Sequence, residues 1–522
     1  MTTAHATYIP TGASVDTQGN CSMFPVANNE IVQICDTLFR VHSLPLKTIV
    51  ASDEQRERGV FRIYYVFGVP RENAYIVPFI ELRDTVAFPS ITKAVFEAAG
   101  YEREIYTMFG LTPEGHPDLR TLILHDNWPS NVYPLRKDFA WNTRPAMANP
   151  EEEYVFNRVA GEGVYEIPVG PVHAGIIEPG HFRFSVMGEE IISLEPRLGY
   201  VHKGSEKLFE VLPLADTVKL SERISGDSSF HHSLAFCQAM EILTGIEVTP
   251  RAGTLRVVFA ELERLANHLG DMGAIMLDTG FSFGGSNGSR LRELVMQLNE
   301  RLTGSRFLRG VNQIGGVSKD ISSADVAAAL QDIKLLQIDF TEMLDIALGR
   351  ISLLNRLSGT GTLPATAAAH YGVLGVAGRA VGRAYDARVD YPYAQYSRMP
   401  VEIAIEQSGD VQARFTIRAK EVVNSIAIIT HALQTLPAGA IASAHMPTVP
   451  QNKMAINVVE GWRGDIVYVV MTNTAGEISR VKVRDVSFLN WQAVPQAVTN
   501  DMMPDFPLIN KSFNLSYSGN DL

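Results

Sequence analysis

Gly100–Phe139 reads GYEREIYTMFGLTPEGHPDLRTLILHDNWPSNVYPLRKDF, and the chain divides around it. Its opening continues a run from Ile91, ITKAVFEAAGYEREIYTMFG, with helical spacing of apolar residues among Glu and Arg. That spacing predicts a helix. Upstream, Val60–Gly68 (VFRIYYVFG) and Ile76–Leu82 (IVPFIEL) are β-branched and aromatic, and the turn-like PRENA separates them, so both predict strands. A small α+β domain over 29–142 results, behind a loose polar arm over 1–28. Prolines and an acid run in Trp141–Glu153 (WNTRPAMANPEEE) predict a linker, bounded at 143–164.

Beyond it, 165–522 begins with YEIPVGPVHAGIIEPGHFRFSVMGEEII, where Pro/Gly punctuation and alternation predict short strands with tight turns. The pattern then turns helical. LRVVFAELERLANHLGDMGAIML from Leu255 and AKEVVNSIAIITHALQTL from Ala419 carry three- and four-residue apolar steps, and SSADVAAALQDIKLLQIDFTEMLDIAL opens at a capping Ser322 with Asp325 three residues on. Near the C-terminus, GDIVYVVMTN and ISRVKVR predict a hairpin turning at TAGE. The fold class is α+β, a small α+β domain followed by a mostly helical domain with small sheets.

Composition narrows the function classes. The 522 residues are 46% hydrophobic and 20% charged with net charge −12, which disfavours a nucleic-acid partner because phosphates call for a basic face. Three cysteines, Cys21, Cys35 and Cys237, form no CxxC pair and no disulfide framework. No basic-then-apolar leader opens the sequence and no apolar run reaches the roughly 18 residues of a bilayer span, so membrane association is expected to come through partners.

The order ERE, MFG, GHPDLR, LRKDF within Gly100–Phe139 resembles the signature of the small peripheral-arm subunit of complex I. The remainder resembles the large subunit of membrane-bound energy-converting nickel–iron hydrogenases and its complex I counterpart. That likeness is carried by GPVHAGIIEPGHFRF (Gly170–Phe184), RLGYVHKGSEKLFE, ERISGDSSFHHSLAFCQAMEILTGIEV, AELERLANHLGDMGAIMLDTG, RFLRGVNQIGGV and GRAVGRAYDARVDYPYAQY. Fusion of the two is shared with formate-hydrogenlyase-type enzymes. The resemblance implies a peripheral subunit at the cytoplasmic side of the inner membrane. Its implied partners are a small iron–sulfur subunit, a ferredoxin-like iron–sulfur subunit and antiporter-like membrane subunits. It further implies electron transfer from a partner cluster, with quinone as acceptor, coupled to ion translocation; the alternative is a non-catalytic scaffold and coupling module. No CxxC holds a cluster in this chain.

The metal motif is where the likeness breaks. The family holds nickel and iron through R-x-C-G-x-C and D-P-C-x-x-C, because these soft metals call for thiolates. The matching positions are Ser225, Ser228, Ser516 and Gly519, so the family's centre cannot form here. The complex I quinone Tyr is also absent, Gly226 standing in its place with Ser225 for the preceding Asp, whereas its quinone-site His and the Asp coupled to it match His173 and Asp278. Candidates for the vacated pocket are His173, Glu178, His181, Arg183, Ser225, Asp227, Ser228, His231, His232, Ser516 and Tyr517. The resemblance makes Glu178 a proton-transfer carboxylate, and Glu178 and Arg183 are expected as an internal ion pair. A zinc site lacks HxxxH or HxH spacing. Adjacent His231 and His232 diverge by about 100° on a helix, so one of them faces the site. Glu263–Asn267 and Arg264–His268 are i,i+4 pairs suited to bracing neighbouring helices.

Overall fold

A computed structural model describes residues 5–149, 154–173, 177–444 and 448–522. The acid run Glu151–Glu153 and Ala174–Ile176 of the Gly170–Phe184 segment lie outside them. The fold is α+β. Strands β1 (Asp16–Gln18), β2 (Cys21–Pro25), β3 (Leu46–Glu54), β4 (Val60–Val69) and β5 (Ala74–Leu82) make one sheet in the order β1-β2-β5-β4-β3, with only β2–β5 parallel. Part of the stretch expected as a loose arm is therefore sheet, and Cys21–Phe24 are buried in it.

The near-continuous apolar run of β4 has a physical reason: this sheet is covered on both faces. One face packs Ile63, Tyr65 and Phe67 against helix α1 (Ala99–Phe109). The helix predicted from Ile91 starts eight residues later. Ser90–Thr92 instead fold around the Glu102 carboxylate, which accepts from Ile91 N at 2.7 Å and Thr92 Oγ1 at 2.7 Å.

In the second part, β6 (Val164–Val169), β7 (His181–Met187) and β8 (Glu190–Arg197) form an antiparallel sheet. Helices α2 (Ser229–Thr244), α3 (Pro250–Asp278), α4 (Ser282–Thr303), α5 (Ser323–Leu348) and α6 (Val411–Gln434) build the large core. Ser322 and Asp325 close the expected capping box on α5. Helices α3 and α6 begin earlier than the apolar pattern alone suggests, because Thr249 and Asp410 cap them through Ala252 N and Ala413 N. None of the described helices is long and apolar enough to cross a membrane.

Strands β9 (Met454–Glu460), β10 (Asp465–Thr472) and β11 (Ile478–Arg484) form the C-terminal sheet, with β10–β11 the predicted hairpin. Ile456, Val458, Val467 and Val469 on this sheet pack against Val50, Tyr64, Tyr75 and Val77, the second face of the N-terminal sheet. Short helices α7 (Phe506–Phe513) and α8 (Tyr517–Asp521) finish the chain against α3 and the Ser487–Asn490 turn.

Candidate functional site

The four vacated ligand positions meet between the loop before α2 and the start of α8, and hydrogen bonds hold them together. Ser225 Oγ lies 2.8 Å from Ser516 Oγ and donates to Asp227 Oδ1 at 2.9 Å. Ser516 also caps α8, its hydroxyl accepting from Gly519 N at 2.9 Å. Two positions that carry thiolates in the family thus serve here as an N-cap and its N3 residue, a role in which Ser is favoured.

Charged residues brace the arrangement. Arg463, on the tight Gly461–Gly464 turn between β9 and β10, grips Asp227 with two bonds of 2.7 Å and reaches Ser228 Oγ at 3.4 Å. Burial pushes the Asp227 carboxyl up, but the Arg463 guanidinium and the Ser225 bond outweigh it and hold the pKa below the usual value. Trp462 Nε1 and Asn267 Nδ2 both donate to Asp227 O, at 3.1 and 2.9 Å. On the other side, Asp485 accepts from Ser487 N at 2.7 Å and contacts His232 Nε2 at 3.1 Å. Against burial, His232 and Arg463 pull the Asp485 carboxyl down to about 2. A Cβ on Gly519 would stand 2.8 Å from Asp485 Cγ, so Asp485 fills the space of a fourth ligand side chain.

A nickel–iron centre does not fit these residues. Ser225 and Ser516 are hydrogen-bonded directly to each other. Their hydroxyls are hard donors already engaged, and Gly519 supplies none.

The other predicted residues fall in different places. Glu178 joins the site, accepting from Ser518 N at 3.1 Å, and Ser518 Oγ is 3.3 Å from Ser516 Oγ. Tyr517 packs on Trp491 (5.0 Å between centroids) and over Gly180, and burial pushes its hydroxyl up to about 12. The expected Glu178–Arg183 pair is not formed, since Arg183 faces the opposite way to pair with Glu166 at 2.9 Å. His181 takes Arg183 Nε at 3.4 Å, and burial lowers its pKa. His173 bonds Gly180 O at 2.7 Å, while Asp278, at the end of α3, pairs with Lys511 at 2.6 Å, so the expected His173–Asp278 coupling is absent among the described residues.

His232 and His231 do diverge. His232 reaches Asp485 and Tyr468 OH (3.1 Å), and His231 takes the Glu263 carboxylate. The i,i+4 residues brace other elements: Asn267 holds Asp227 O as well as Glu263 O, Arg264 holds Glu460 O and Gly461 O, and His268 holds Glu421. Four described clefts, the largest about 740 Å³ and lying between the N-terminal and C-terminal sheets, are not lined by Ser225, Ser228, Ser516 or Tyr517. No cluster of three or more metal-ligating side chains occurs among the described residues.

Arg463 and Asp485, which close the site, were not among the sequence candidates. The signal for Arg463 is a Trp–Arg pair inside Gly461–Gly464, where a tight turn aims two large side chains inward. Asp485 has a weaker one, an acid directly after the alternating run of β11.

Fold and site together define a two-part subunit whose hydrogenase-like helical frame encloses a hydrogen-bonded closure at the ligand loops. The family of the respiratory-chain NADH dehydrogenase 49 Kd subunit matches residues 278–457 and 445–521, and that of the 30 Kd subunit matches 24–145. Formate hydrogenlyase subunit 5 of Escherichia coli is 33% identical over 94% of this chain and 87% of its own length. Hydrogenase-4 component G of the same organism is 33% identical over 94% and 86%. The fused C/D subunit of NADH-quinone oxidoreductase from Phocaeicola vulgatus is 31% identical over 78% and 82%. The chain belongs to this family of fused 30 Kd- and 49 Kd-type subunits of complex I and hydrogenase-related enzymes.

Proposed function

We propose that this chain is a peripheral subunit of a membrane-bound complex I-like or hydrogenase-related assembly, acting as a nickel-free coupling module. The single observation that carries this reading is the direct Ser225–Ser516 hydrogen bond, sealed by the Arg463–Asp227 grip and by Asp485 beside Gly519. It joins the loop before α2 to the C-terminal tail, so a shift on one side is passed to the other. The proposed partners are a small iron–sulfur subunit and a ferredoxin-like one, which carry the electrons, and antiporter-like membrane subunits at the cytoplasmic face. Electron delivery to quinone at this site is the competing reading, and it calls for an opening beside Ser516 and Tyr517.

Ion uptake into vesicles carrying the assembly distinguishes the two. The Ser225→Ala/Ser516→Ala variant is expected to lose several-fold in ion uptake while the partner's iron–sulfur clusters are still oxidised at the parental rate. Arrest of cluster oxidation in that variant would instead assign the electron acceptor to this site.

A further inference from the structure

Beneath the closed site lies a buried group of charges joined by ion pairs. Glu261 pairs with Arg264 at 3.3 Å and Arg388 at 3.1 Å, and Arg388 pairs with Asp386 at 2.7 Å. Arg379 joins Asp386 (3.6 Å), Glu421 (2.8 Å) and Glu460 (2.7 Å). Arg264 and His268 complete the group on Glu421, at 3.7 and 2.7 Å. None of these side chains is more than 1% exposed.

Four carboxylates therefore face three guanidiniums. Asp465 beside the group has two cations of its own, Lys47 and Arg484, so the imbalance is local, and the carboxylate with the fewest cations is the one that is costly to keep ionised. Two residues can take up a proton here, His268 and Glu460. His268 Nε2 faces Glu421, but its Nδ1 has no hydrogen-bond partner, and an imidazolium there would bury an unsatisfied N–H. Glu460 is the carboxylate with the fewest cations. Glu261, Asp386 and Glu421 each touch at least two, whereas Glu460 touches Arg379 alone and receives Ala387 N at 2.9 Å. Opposite it in register on β10 stands Asp465, which pairs with both Lys47 and Arg484 and accepts from Tyr385 OH. Tyr393 OH meets only the Glu460 backbone.

We propose that Glu460 is a proton-binding site, the carboxyl of this buried group that shares its single guanidinium with two other carboxylates. Burial, with Asp386 and Asp465 adding to it and Arg379 and Arg264 opposing, pushes its carboxyl up to about 7. The proton bears on the site above. Arg264 binds Glu460 O and Gly461 O, and the same hairpin turn carries Trp462 and Arg463 onto Asp227. Uptake or release at Glu460 thus changes the charge directly behind the Arg463 grip, whatever complex the chain serves.

Infrared difference spectra of the full chain between about pH 5.5 and 8.5 test this. The expected result is a protonated-carboxyl C=O band that fades as pH rises, is missing in Glu460→Gln and moves its midpoint in Glu460→Asp. Glu97, which burial also pushes up to about 7, provides the control, and Glu97→Gln is expected to keep the Glu460 band. The sign of the stability effect follows from the raised pKa. The native state holds the proton more tightly than the unfolded chain, so parental stability falls relative to Glu460→Gln as pH rises from 4.5 to about 7, on the order of a hundredfold in folding equilibrium. A carboxyl band unchanged in Glu460→Gln, or imidazolium signals that vanish in His268→Gln, would overturn the proposal. Should Glu460→Gln fail to fold, an unmoved midpoint in Glu460→Asp would do the same.

Discussion

Gly519 and Asp485 are a matched pair, since the carboxylate stands where any side chain at 519 would go. Gly519→Ala is expected to cost about 1–3 kcal/mol by overpacking. In an Asp485→Ala background the same change should cost less, and equal costs in urea unfolding would refute the pairing. Ser516→Ala removes both the α8 cap and the Ser225 bond, and is expected to cost about 1–2 kcal/mol in the same assay, an unchanged midpoint speaking against the clasp. At this scale the sequence was only partly readable. The missing thiolates were plain, because motif order fixed Ser225, Ser228, Ser516 and Gly519. What closes the gap was not, since Ser225 and Ser516 are 291 residues apart and Arg463 and Asp485 meet them only through the fold. Charge type also misled: Glu178 and Arg183, five apart on one strand entrance, point to different partners, Ser518 N and Glu166.

Elements were more legible. Strands β4 and β5 and the β10–β11 hairpin follow from β-branched and aromatic runs, and Ser322 announces α5 through its cap. Helix ends were less so, because a carboxylate further along the chain (Glu102 for Ile91) or a polar cap outside the apolar pattern (Asp410, Thr249) sets them. One close approach is invisible in periodicity: α3 and α4 cross at Gly273 and Gly288, where a Cβ on Gly288 would lie 2.5 Å from Gly273 Cα. Gly288→Ala must push two backbones apart, so a loss of about 2 kcal/mol or more is expected in thermal unfolding. A neutral result would mean that the two helices cross less tightly than this.

Across the whole molecule, sheet-on-sheet packing and buried ions weld the two parts together. Lys482 on β11 holds Glu104 of α1 at 2.6 Å and Glu206 at 3.2 Å, and Arg480 holds Glu206 at 2.7 Å, all buried. Lys482→Met leaves the buried Glu104 carboxylate without its cation and is expected to cost about 3–5 kcal/mol. Calorimetry of the parent chain should give one transition, and two resolved transitions would contradict so tight a junction. The two-part organisation could be read from motif order, but the extent of this interface could not, because the near-continuous apolar runs of β9 and β10 call for cover on both faces without naming the N-terminal sheet that supplies it. Metal analysis of the purified intact complex tests whether hydrogen bonds have replaced the metal at Ser225, Ser228, Ser516 and Gly519. No stoichiometric nickel and neither evolution nor consumption of hydrogen is expected; one nickel per chain would refute the replacement.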